Sequence, residues 1–299
     1  MYDYATFSDL PYNGLVAPAF PSAGTGERVW FLSPVNSDLA TLTSTTAVSS
    51  LPITYLQDQA PSKRWRSSAS TVEAITIDFG YPIAANALAL VSHNLSTEAV
   101  LRVRAAVTSG AITSAPIVET NWVSAWPLGV KPSDANWLNY VSLVRFTNDA
   151  PLRYWRLDVV DPAATQTYIE AGRLALGRAW QPTSGLSFDT SMAYRSSDLQ
   201  INSPWNTIYA DARFPARVFD MRFEAHEQRD AFDGAMELQR RRGMAKDIIV
   251  ALDPAETTDF HRYTMQGVMT GISAVTRQPL WSGNGPLYQF SIQLQEIIF

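Results

Sequence analysis

The residues that could carry out acid–base or metal chemistry are few and far apart. The chain contains three histidines, His93, His226 and His261, and no cysteine. No two histidines have the H-x-x-x-H or H-E-x-x-H spacing that places two imidazoles on one face of a helix. The sequence therefore predicts no metal site. We expect His93 to lie in the turn that closes a strand, and His226 at the start of a helix.

The motifs that mark common catalytic and nucleotide-binding sites are absent. The chain contains no G-x-S-x-G nucleophile elbow and no glycine-rich phosphate loop of the G-x-x-x-x-G-K-[ST] or G-x-G-x-x-G type. Two carboxylates about 5–10 Å apart can hydrolyse a glycosidic bond. Asp158 and Asp161 flank a strand end and Asp253 and Glu256 a turn, but their spacing does not place either pair in a cleft. We therefore expect a chain that is not an enzyme and holds no cofactor.

The charged residues argue against specific binding of nucleic acid. The chain has 23 Lys and Arg against 28 Asp and Glu, a net charge of −5, and a pI near 5.2. Nucleic-acid-binding domains normally carry a basic stripe and a high pI. The run Arg240-Arg241-Arg242 has two interpretations, a phosphate-binding patch or the last turn of a helix, where cations complement the helix dipole. Gly243 follows the run directly, which is typical of a helix end.

Tryptophan is the most prominent residue type that could bind a ligand without a catalytic role. Many carbohydrate-binding proteins hold sugars by stacking them on exposed aromatic rings. Trp122, Trp126 and Trp137 lie in a proline-containing, loop-like stretch, so they are the candidate glycan-contacting residues. Packing inside a small sandwich is the alternative for these three, and Trp155, within a strand, is expected to be core.

Residues 1–35 are rich in Pro, Gly and Ser and are predicted to form an irregular arm with one strand at residues 29–32. The arm carries several aromatic residues that would be costly to leave in water. It is therefore expected to lie across a neighbouring subunit. The aromatic residues are Tyr2, Tyr4, Phe7, Tyr12 and Phe20.

Residues 36–180 show short apolar segments with period two, separated by turn signals and without a helical period between them. This pattern predicts an antiparallel sandwich or barrel. In the strand at 100–107, the arginines share one face. The predicted strands lie at 74–79, 87–91, 100–107, 140–146 and 154–159.

Residues 181–299 differ because they contain the one convincing helix, predicted at about 225–242. Strands are predicted around it, and the last alternates strictly, with Tyr288, Phe290, Ile292, Leu294 and Glu296 on one face. This half is predicted to be a small β barrel or split sheet with one packed helix. The remaining strands are predicted near 186–194 and 216–223 and at 247–252 and 263–275.

Three further features that the sequence lacks bear on the cellular location that we expect for the protein. It has no cysteine, no apolar N-terminal signal segment, and no apolar run of the about 18 residues that a membrane-spanning helix needs. We therefore expect no secretion signal and no membrane span. The lack of cysteine suits a protein that meets both reducing and oxidising surroundings.

The first of the two halves resembles the discoidin-like, galactose-binding-like jelly roll. The resemblance rests on Ser49-Ser50, Arg64-Trp65-Arg66-Ser67, Ile75–Gly80, His93-Asn94-Leu95, Arg153–Val159 and Ile169–Gly177. It covers about residues 36–180. The cysteine pair usual in that family is absent. The resemblance implies a jelly-roll fold, in a family whose members either bind glycans or serve as structural modules.

Residues 181–299 resemble the tail-tube-like β barrel with a flanking helix found in tail proteins of long-tailed bacteriophages. The matching elements are the helix ending at Arg240-Arg241-Arg242-Gly243, the strand Ile248–Leu252 and the terminal strand Gln293–Phe299. A jelly roll joined to such a domain resembles the distal tail or baseplate-hub protein of a siphovirus-like phage. In many of those relatives the jelly roll follows the tube-like domain, whereas here it precedes it.

This resemblance implies a structural virion protein at the phage tail tip, made in the host cytoplasm. It would form a homo-oligomeric ring, expected to be hexameric, that continues the tail tube. Its other partners would be the tail tube, tape-measure and tail hub proteins. The alternative, from a different functional class, is a carbohydrate-binding module or adhesin that recognises host surface glycans through Trp122, Trp126 or Trp137.

Overall fold

The structure, a computed structural model, describes residues 28–60, 62–68, 71–129, 131, 139–202, 205, 208–256, 258–282 and 285–298. Within these residues the chain is mainly β, with antiparallel sheets and few helices, so the predicted fold class is confirmed. Most of the predicted N-terminal arm, residues 1–27, lies outside them. No helix in this part of the chain is long and apolar enough to cross a membrane.

The first part of the described chain contains short strands and single helical turns. In chain order they are β1 (Trp30–Leu32), α1 (Val35–Leu39), β2 (Thr41–Ser44), a 3₁₀ turn (Ile53–Gln57), β3 (Trp65–Arg66), β4 (Val72–Ile83), β5 (Ala87–Val91), β6 (Val100–Ala106), α2 (Ala111–Ser114), β7 (Val118–Glu119), β8 (Val123–Ser124), a 3₁₀ turn (Pro127–Gly129), β9 (Val141–Arg145), β10 (Leu152–Val160), β11 (Glu170–Ala171) and β12 (Arg173–Gly177).

Two sheets pack against each other in this part, and we call this sandwich, from β2 to β12, the jelly roll. The large sheet has the strand order β2-β4-β10-β6-β7, with β8 also paired to β6, and the small sheet has the order β12-β5-β9. Alternate side chains of the large sheet, such as Ile75, Leu101 and Trp155, meet Leu88 and Leu174 of the small sheet in one apolar core. Trp155 is fully buried. Each strand predicted between residues 74 and 159 is present.

The small sheet is buried on both of its faces. Leu88 and Leu90 of β5 point into the jelly-roll core, whereas Ala87, Ala89 and Val91 belong to a separate apolar cluster on the other side. The sequence of a strand that is buried on both faces is a continuous run of apolar residues rather than an alternating pattern. This explains the sequence of β5, and its small outward residues allow a second sheet to approach closely.

The C-terminal part forms that second sheet. Its elements are β13 (Ser191–Arg195), β14 (Leu199–Asn202), β15 (Ile208–Asp211), β16 (Ala216–His226), a π-helical segment (Asp230–Met236), α3 (Glu237–Arg242), β17 (Asp247–Ala251), α4 (Phe260–Tyr263), β18 (Thr264–Ile272), β19 (Thr276–Ser282) and β20 (Gly285–Glu296).

The C-terminal sheet has the strand order β1-β17-β18-β20-β16-β13, with β19 also paired to β20. In β20 the predicted alternation is confirmed, because Phe290, Ile292 and Leu294 are buried in the core of this sheet. β1 comes from the predicted N-terminal arm and pairs with β17. Its Phe31 also exchanges two backbone hydrogen bonds, of 2.9 and 2.8 Å, with Trp180.

The helix begins later than the sequence predicted. Ala225 and His226, assigned to a helix over 225–242, belong to β16. Ala225 has a φ of +58°, in the left-handed region that a right-handed helix does not include. The chain turns there, and the helical residues run from the π-helical segment into α3. Gly243 follows the last turn with a φ of +52°, as expected for a helix end.

A glycine in the π-helical segment lets the helix pack against Trp180. A Cβ atom on Gly234 would lie 2.2 Å from the indole ring, so no other residue fits without displacing it. Trp180 in turn stacks on Phe31, with ring centroids 5.0 Å apart. The residue that ends the jelly roll is therefore part of the core of the C-terminal sheet.

The jelly roll and the C-terminal sheet meet through an apolar layer. On one side lie Ala89 and Ala175 of the small sheet, and on the other Leu32 of β1 and Ile249 of β17, all buried. Because the joining surface is part of a continuous apolar cluster, the two parts are packed like one protein interior.

A buried ion cluster, consisting of Asp38, Arg173, Arg242 and Asp247, lies in the same joint. Arg173 on β12 donates from Nε and Nη2 to the two carboxylate oxygens of Asp247 on β17, at 2.8 and 2.9 Å. Arg242 at the end of α3 donates to the same carboxylate at 2.7 Å. Gln266 donates to it as well, also at 2.7 Å, and Arg173 contacts Asp38 of α1.

The two central ions of the cluster, Asp247 and Arg173, keep their charges although they are buried, whereas burial raises the pKa of the peripheral Asp38. Burial alone would raise the pKa of the Asp247 carboxyl, but Arg173 and Arg242 attract its negative charge and bring the pKa below its usual value. Burial would likewise lower the pKa of Arg173, and the two aspartates raise it instead. Each ion is therefore stable in this position only because its partners are present.

We expect Asp247→Asn to lower the free energy of unfolding by about 3–5 kcal/mol, because it leaves two buried guanidinium groups short of a carboxylate. Urea unfolding followed by tryptophan fluorescence measures the change. The matched control is Asp189→Asn, which breaks an exposed ion pair with Arg222 and should cost less than about 1 kcal/mol. Equal losses in the two variants would contradict the role given to the cluster.

Candidate functional site

The three candidate tryptophans do not form one exposed platform. Trp126 is only 3% exposed and donates from its indole N–H to the Leu95 carbonyl at 3.1 Å. Its ring packs edge-on against Tyr140 and His93, with centroids 4.7 and 5.0 Å away. Trp126 is therefore a core residue, and its ring is not available to stack on a sugar. Trp137 lies outside the described residues.

Trp122 is the one of the three that the structure places on the surface. Its side chain is 43% exposed. The guanidinium carbon of Arg102 lies 4.4 Å from the centre of its ring, which is cation–π geometry. Of the predicted glycan-contacting residues that the structure describes, only Trp122 presents an aromatic surface to solvent.

His93 is a buried neutral residue rather than a metal ligand. Its Nε2 lies 2.7 Å from the Ser142 hydroxyl, which donates its proton to the Ala125 carbonyl, so we place the imidazole proton on Nε2. Nδ1 is buried and has no partner among the described residues. Burial, followed by the nearby charge of Lys131, lowers the pKa of His93 to about 3.

His226 is part of a second buried pair. The structure places it at the end of β16, not at the start of a helix, and its Nδ1 lies 3.2 Å from the Asp230 carboxylate. Thr183 also donates to that carboxylate, from its backbone N–H at 2.8 Å and from its hydroxyl. Burial alone would raise the pKa of Asp230, but these hydrogen bonds bring it below its usual value. The pair holds the linker after the jelly roll against the helix.

The remaining candidate groups have structural partners. Asp161 accepts hydrogen bonds from Ser96, and Asp253 accepts them from backbone N–H groups in its own turn. In the arginine run, Arg241 pairs with Glu237 on the same helix, whereas Arg242 belongs to the buried ion cluster. Among the residues that the structure describes, no group of three histidine, cysteine, aspartate or glutamate side chains could hold a metal ion.

An arginine cluster lies on the outer face of the large sheet. Three arginines surround one carboxylate, that of Asp158 on β10. Arg104 donates to it from Nε and Nη2 at 2.8 and 2.9 Å, and Arg102 donates from Nε at 3.2 Å. Arg156 donates from Nε at 2.6 Å. We call Arg102, Arg104, Arg156 and Asp158 the sheet-face arginine cluster.

The sheet-face arginine cluster has more donors than acceptors. Burial would raise the pKa of Asp158, but Arg104 and Arg156 bring it below its usual value, so the carboxylate is ionised at neutral pH. A carboxylate offers about four lone-pair positions, and here all are used. The two terminal nitrogens of Arg156 donate to no residue in the described ranges. The sequence indicated arginines on one face of β6 but not that β10 brings Asp158 between them.

A second surface is apolar. Residues 199–202 and 208–211 form a two-stranded hairpin, β14–β15, and all eight of them are exposed. Among the described residues, nine of the nineteen exposed large apolar side chains lie on this hairpin or close to it in sequence. They are Phe188, Met192, Tyr194, Leu199, Ile201, Trp205, Ile208, Tyr209 and Phe214.

The hairpin is a feature that the sequence prediction missed. Its signal was present: Leu199 and Ile201 alternate with polar residues, and a turn-forming Asn202-Ser203-Pro204 follows. In the register of the hairpin, Ile201 lies opposite Tyr209 and Leu199 lies opposite Asp211, so Leu199, Ile201 and Tyr209 share one face, with Asp211 at its end. The same face contacts no core in the described chain.

No protein-family model and no curated protein matches the sequence. Several solved structures are similar. The lectin domain of lectinolysin, complexed with Lewis B antigen, is 10% identical; the match covers 49% of this chain and 99% of that one, with a TM-score of 0.34. The family 32 CBM from C. perfringens NanJ, in complex with galactose, is 14% identical over 49% of this chain and 98% of that one, with a TM-score of 0.35.

A fucose binding module from Streptococcus pneumoniae is 7% identical over 48% of this chain and 97% of that one, with a TM-score of 0.33. These structures are discoidin-like carbohydrate-binding modules with the galactose-binding-like fold. The similarity therefore concerns the fold of about half of the chain. At these identities and TM-scores it says nothing about what the chain binds.

The buried His93 makes a testable contribution to pH dependence. Between pH 6.5 and pH 4 the unfolded chain binds a proton at His93 that the folded chain does not bind, so stability falls as the pH falls, by about 1.4 kcal/mol per pH unit. In His93→Gln this part of the slope should disappear. Urea unfolding of both proteins at pH 7, 5.5 and 4.5 tests this. The carboxylates titrate in both proteins, so the difference between the two stability profiles reports the contribution of His93. Parallel profiles would contradict it.

Proposed function

We propose that the chain is a structural subunit of a larger assembly and that its C-terminal part binds further copies of the same chain. The observation that carries the proposal is the exposed hairpin β14–β15. A two-stranded hairpin is marginally stable in water by itself. Its apolar face has no partner in the described chain, and we propose that another molecule buries it.

The sheet edge beside the hairpin supports the same interpretation. β13 ends the strand order of the C-terminal sheet, and all five of its residues are exposed. Its outer edge pairs with no strand among the described residues. An open edge with apolar side chains, such as Met192, favours pairing with another chain. Large exposed apolar patches of this kind are typical of protein interaction sites.

A second copy of the chain is the partner that fits best. In a head-to-tail assembly, one patch on each copy contacts a different patch on the next copy. If the rotation between neighbouring copies closes, the assembly is a ring. The hairpin and the edge of β13 supply one patch. This agrees with the resemblance to distal tail proteins, from which we propose a ring, expected to be hexameric, at the tip of a phage tail. The tail tube, tape-measure and hub proteins would be the neighbours. The proposal gives the chain no catalytic role and no cofactor.

We expect the wild-type chain to form rings at tens of micromolar, visible in mass photometry and negative-stain images. Ile201→Asp should weaken association at least about tenfold, because a carboxylate on the apolar face loses its hydration when the face is buried. Gln200→Asp adds the same charge to the opposite face of the same strand and is the control. A strictly monomeric wild type, or equal assembly of both variants, would contradict the proposal.

A second candidate function is carbohydrate binding by the jelly roll, favoured by the half-exposed ring of Trp122 on the outer face of the large sheet. Exposed aromatic rings combined with a few polar groups are typical of ligand sites. Host surface glycans would be the ligands. This function is compatible with the first, because the joint and the hairpin leave that face uncovered within the described chain.

The second candidate is tested on a glycan array with the purified full-length chain. We expect binding to at least one host-type glycan and its loss in Trp122→Ala. The control is Trp205→Ala, which removes an equally large exposed ring from the hairpin region and should leave glycan binding unchanged. Absence of binding to every glycan would leave the assembly role as the sole proposal.

A further inference from the structure

The sheet-face arginine cluster contains unused hydrogen-bonding capacity at a partly exposed position. The Asp158 carboxylate already accepts bonds from three guanidinium groups, so it cannot accept more. Arg156 donates to it through Nε alone, and its side chain is about a quarter exposed. Its two terminal nitrogens, with four N–H groups between them, face no acceptor among the described residues.

The charges of this face are also unbalanced. This face carries three guanidinium groups and two carboxylates, those of Asp158 and Glu119. Glu119 accepts a hydrogen bond from Arg102 at 3.0 Å. The surplus charge is positive on a chain whose net charge is −5. An anion therefore fits this face better than a neutral group. The free nitrogens of Arg156 form the planar fork that binds a carboxylate in bidentate fashion.

An aromatic ring lies on the same face. Trp122 packs on Arg102, and Arg102 lies opposite Asp158 in the pairing of β6 with β10. Arg156 is two residues from Asp158 along β10, so Arg102 and Arg156 are diagonal neighbours, about 7–8 Å apart. The Trp122 ring and the free guanidinium nitrogens of Arg156 are therefore presented on the same face, next to neighbouring positions of the sheet.

We propose that this face binds an acidic saccharide, with a uronic-acid carboxylate on Arg156 and a neighbouring sugar ring on Trp122. The proposal rests on the carbohydrate-binding function proposed above and assigns it a location and a ligand class. Arg104 and Asp158 are nearly buried and do not contact the ligand. They hold Arg156 and Arg102 in place, so the donors are oriented before the sugar arrives.

The test measures binding of trigalacturonic acid to the full-length chain by isothermal titration calorimetry, with uncharged galactose oligomers of equal length as the comparison. We expect the acidic trisaccharide to bind at least tenfold more tightly than the neutral one. Arg156→Gln should reduce binding at least tenfold, and Arg156→Lys should restore it in part, because a lysine keeps the charge but not the fork.

The matched control is Arg153→Gln. Arg153 lies on the same strand and carries the same charge, but its guanidinium already pairs with Asp78 through two bonds, of 2.7 and 2.9 Å. Binding should be unchanged in this variant. Trp122→Ala should weaken binding of the trisaccharide and leave competition by free acetate unaltered. Thermal unfolding of each variant checks that the fold is kept.

Three results would overturn the inference. If acetate or sulfate competes as strongly as the trisaccharide, the face is an anion site and the sugar has no part in it. If neutral glycans bind and Arg156→Gln does not affect them, carbohydrate binding lies elsewhere on the chain, and only the location and ligand class are wrong. If no saccharide binds, the carbohydrate function fails together with the inference.

Discussion

The architecture depends on one buried contact, the bidentate ion pair between Arg173 of the small sheet and Asp247 of β17. Neither ion would be stable at that depth alone, because the cost of removing a charge from water exceeds any single hydrogen bond. Together with Arg242 and the apolar layer around Ile249, they join the jelly roll to the C-terminal sheet. A change in the orientation of the two parts would expose both apolar surfaces and separate the ions, so the joint opposes such a change.

This joint decides which surfaces remain for partners. The jelly roll uses the outer face of its small sheet, so the outer face of its large sheet, with Arg156 and Trp122, stays available. The C-terminal sheet uses β1 and β17 at one end of its strand order, so β13 and the hairpin β14–β15 lie at the other end. The two candidate surfaces therefore lie on different parts of the molecule, away from the joint.

Much of the fold could be predicted from the sequence because alternation reports burial directly. The strand containing Phe290 and Leu294 was correct in position and in the face that it buries. The helix start was wrong because the turn at Ala225 depends on a backbone angle that no residue pattern signals. Among the tryptophans, the sequence could not separate buried Trp126 from exposed Trp122, since both lie in short loop-like segments. Their exposure is decided by which neighbours the sheet pairing brings near.

The exposed hairpin shows the limit of this reasoning and also its use. An alternating segment such as Leu199–Asn202 predicts a strand with one buried face, and this prediction assumes that the partner lies in the same chain. Among the residues that the structure describes, this strand has no core to pack against, so its apolar face is exposed there. An apolar face gives no stability to a free monomer and increases the risk of aggregation. Burial between chains, as proposed above, would give this alternation the buried face that the described part of the chain lacks.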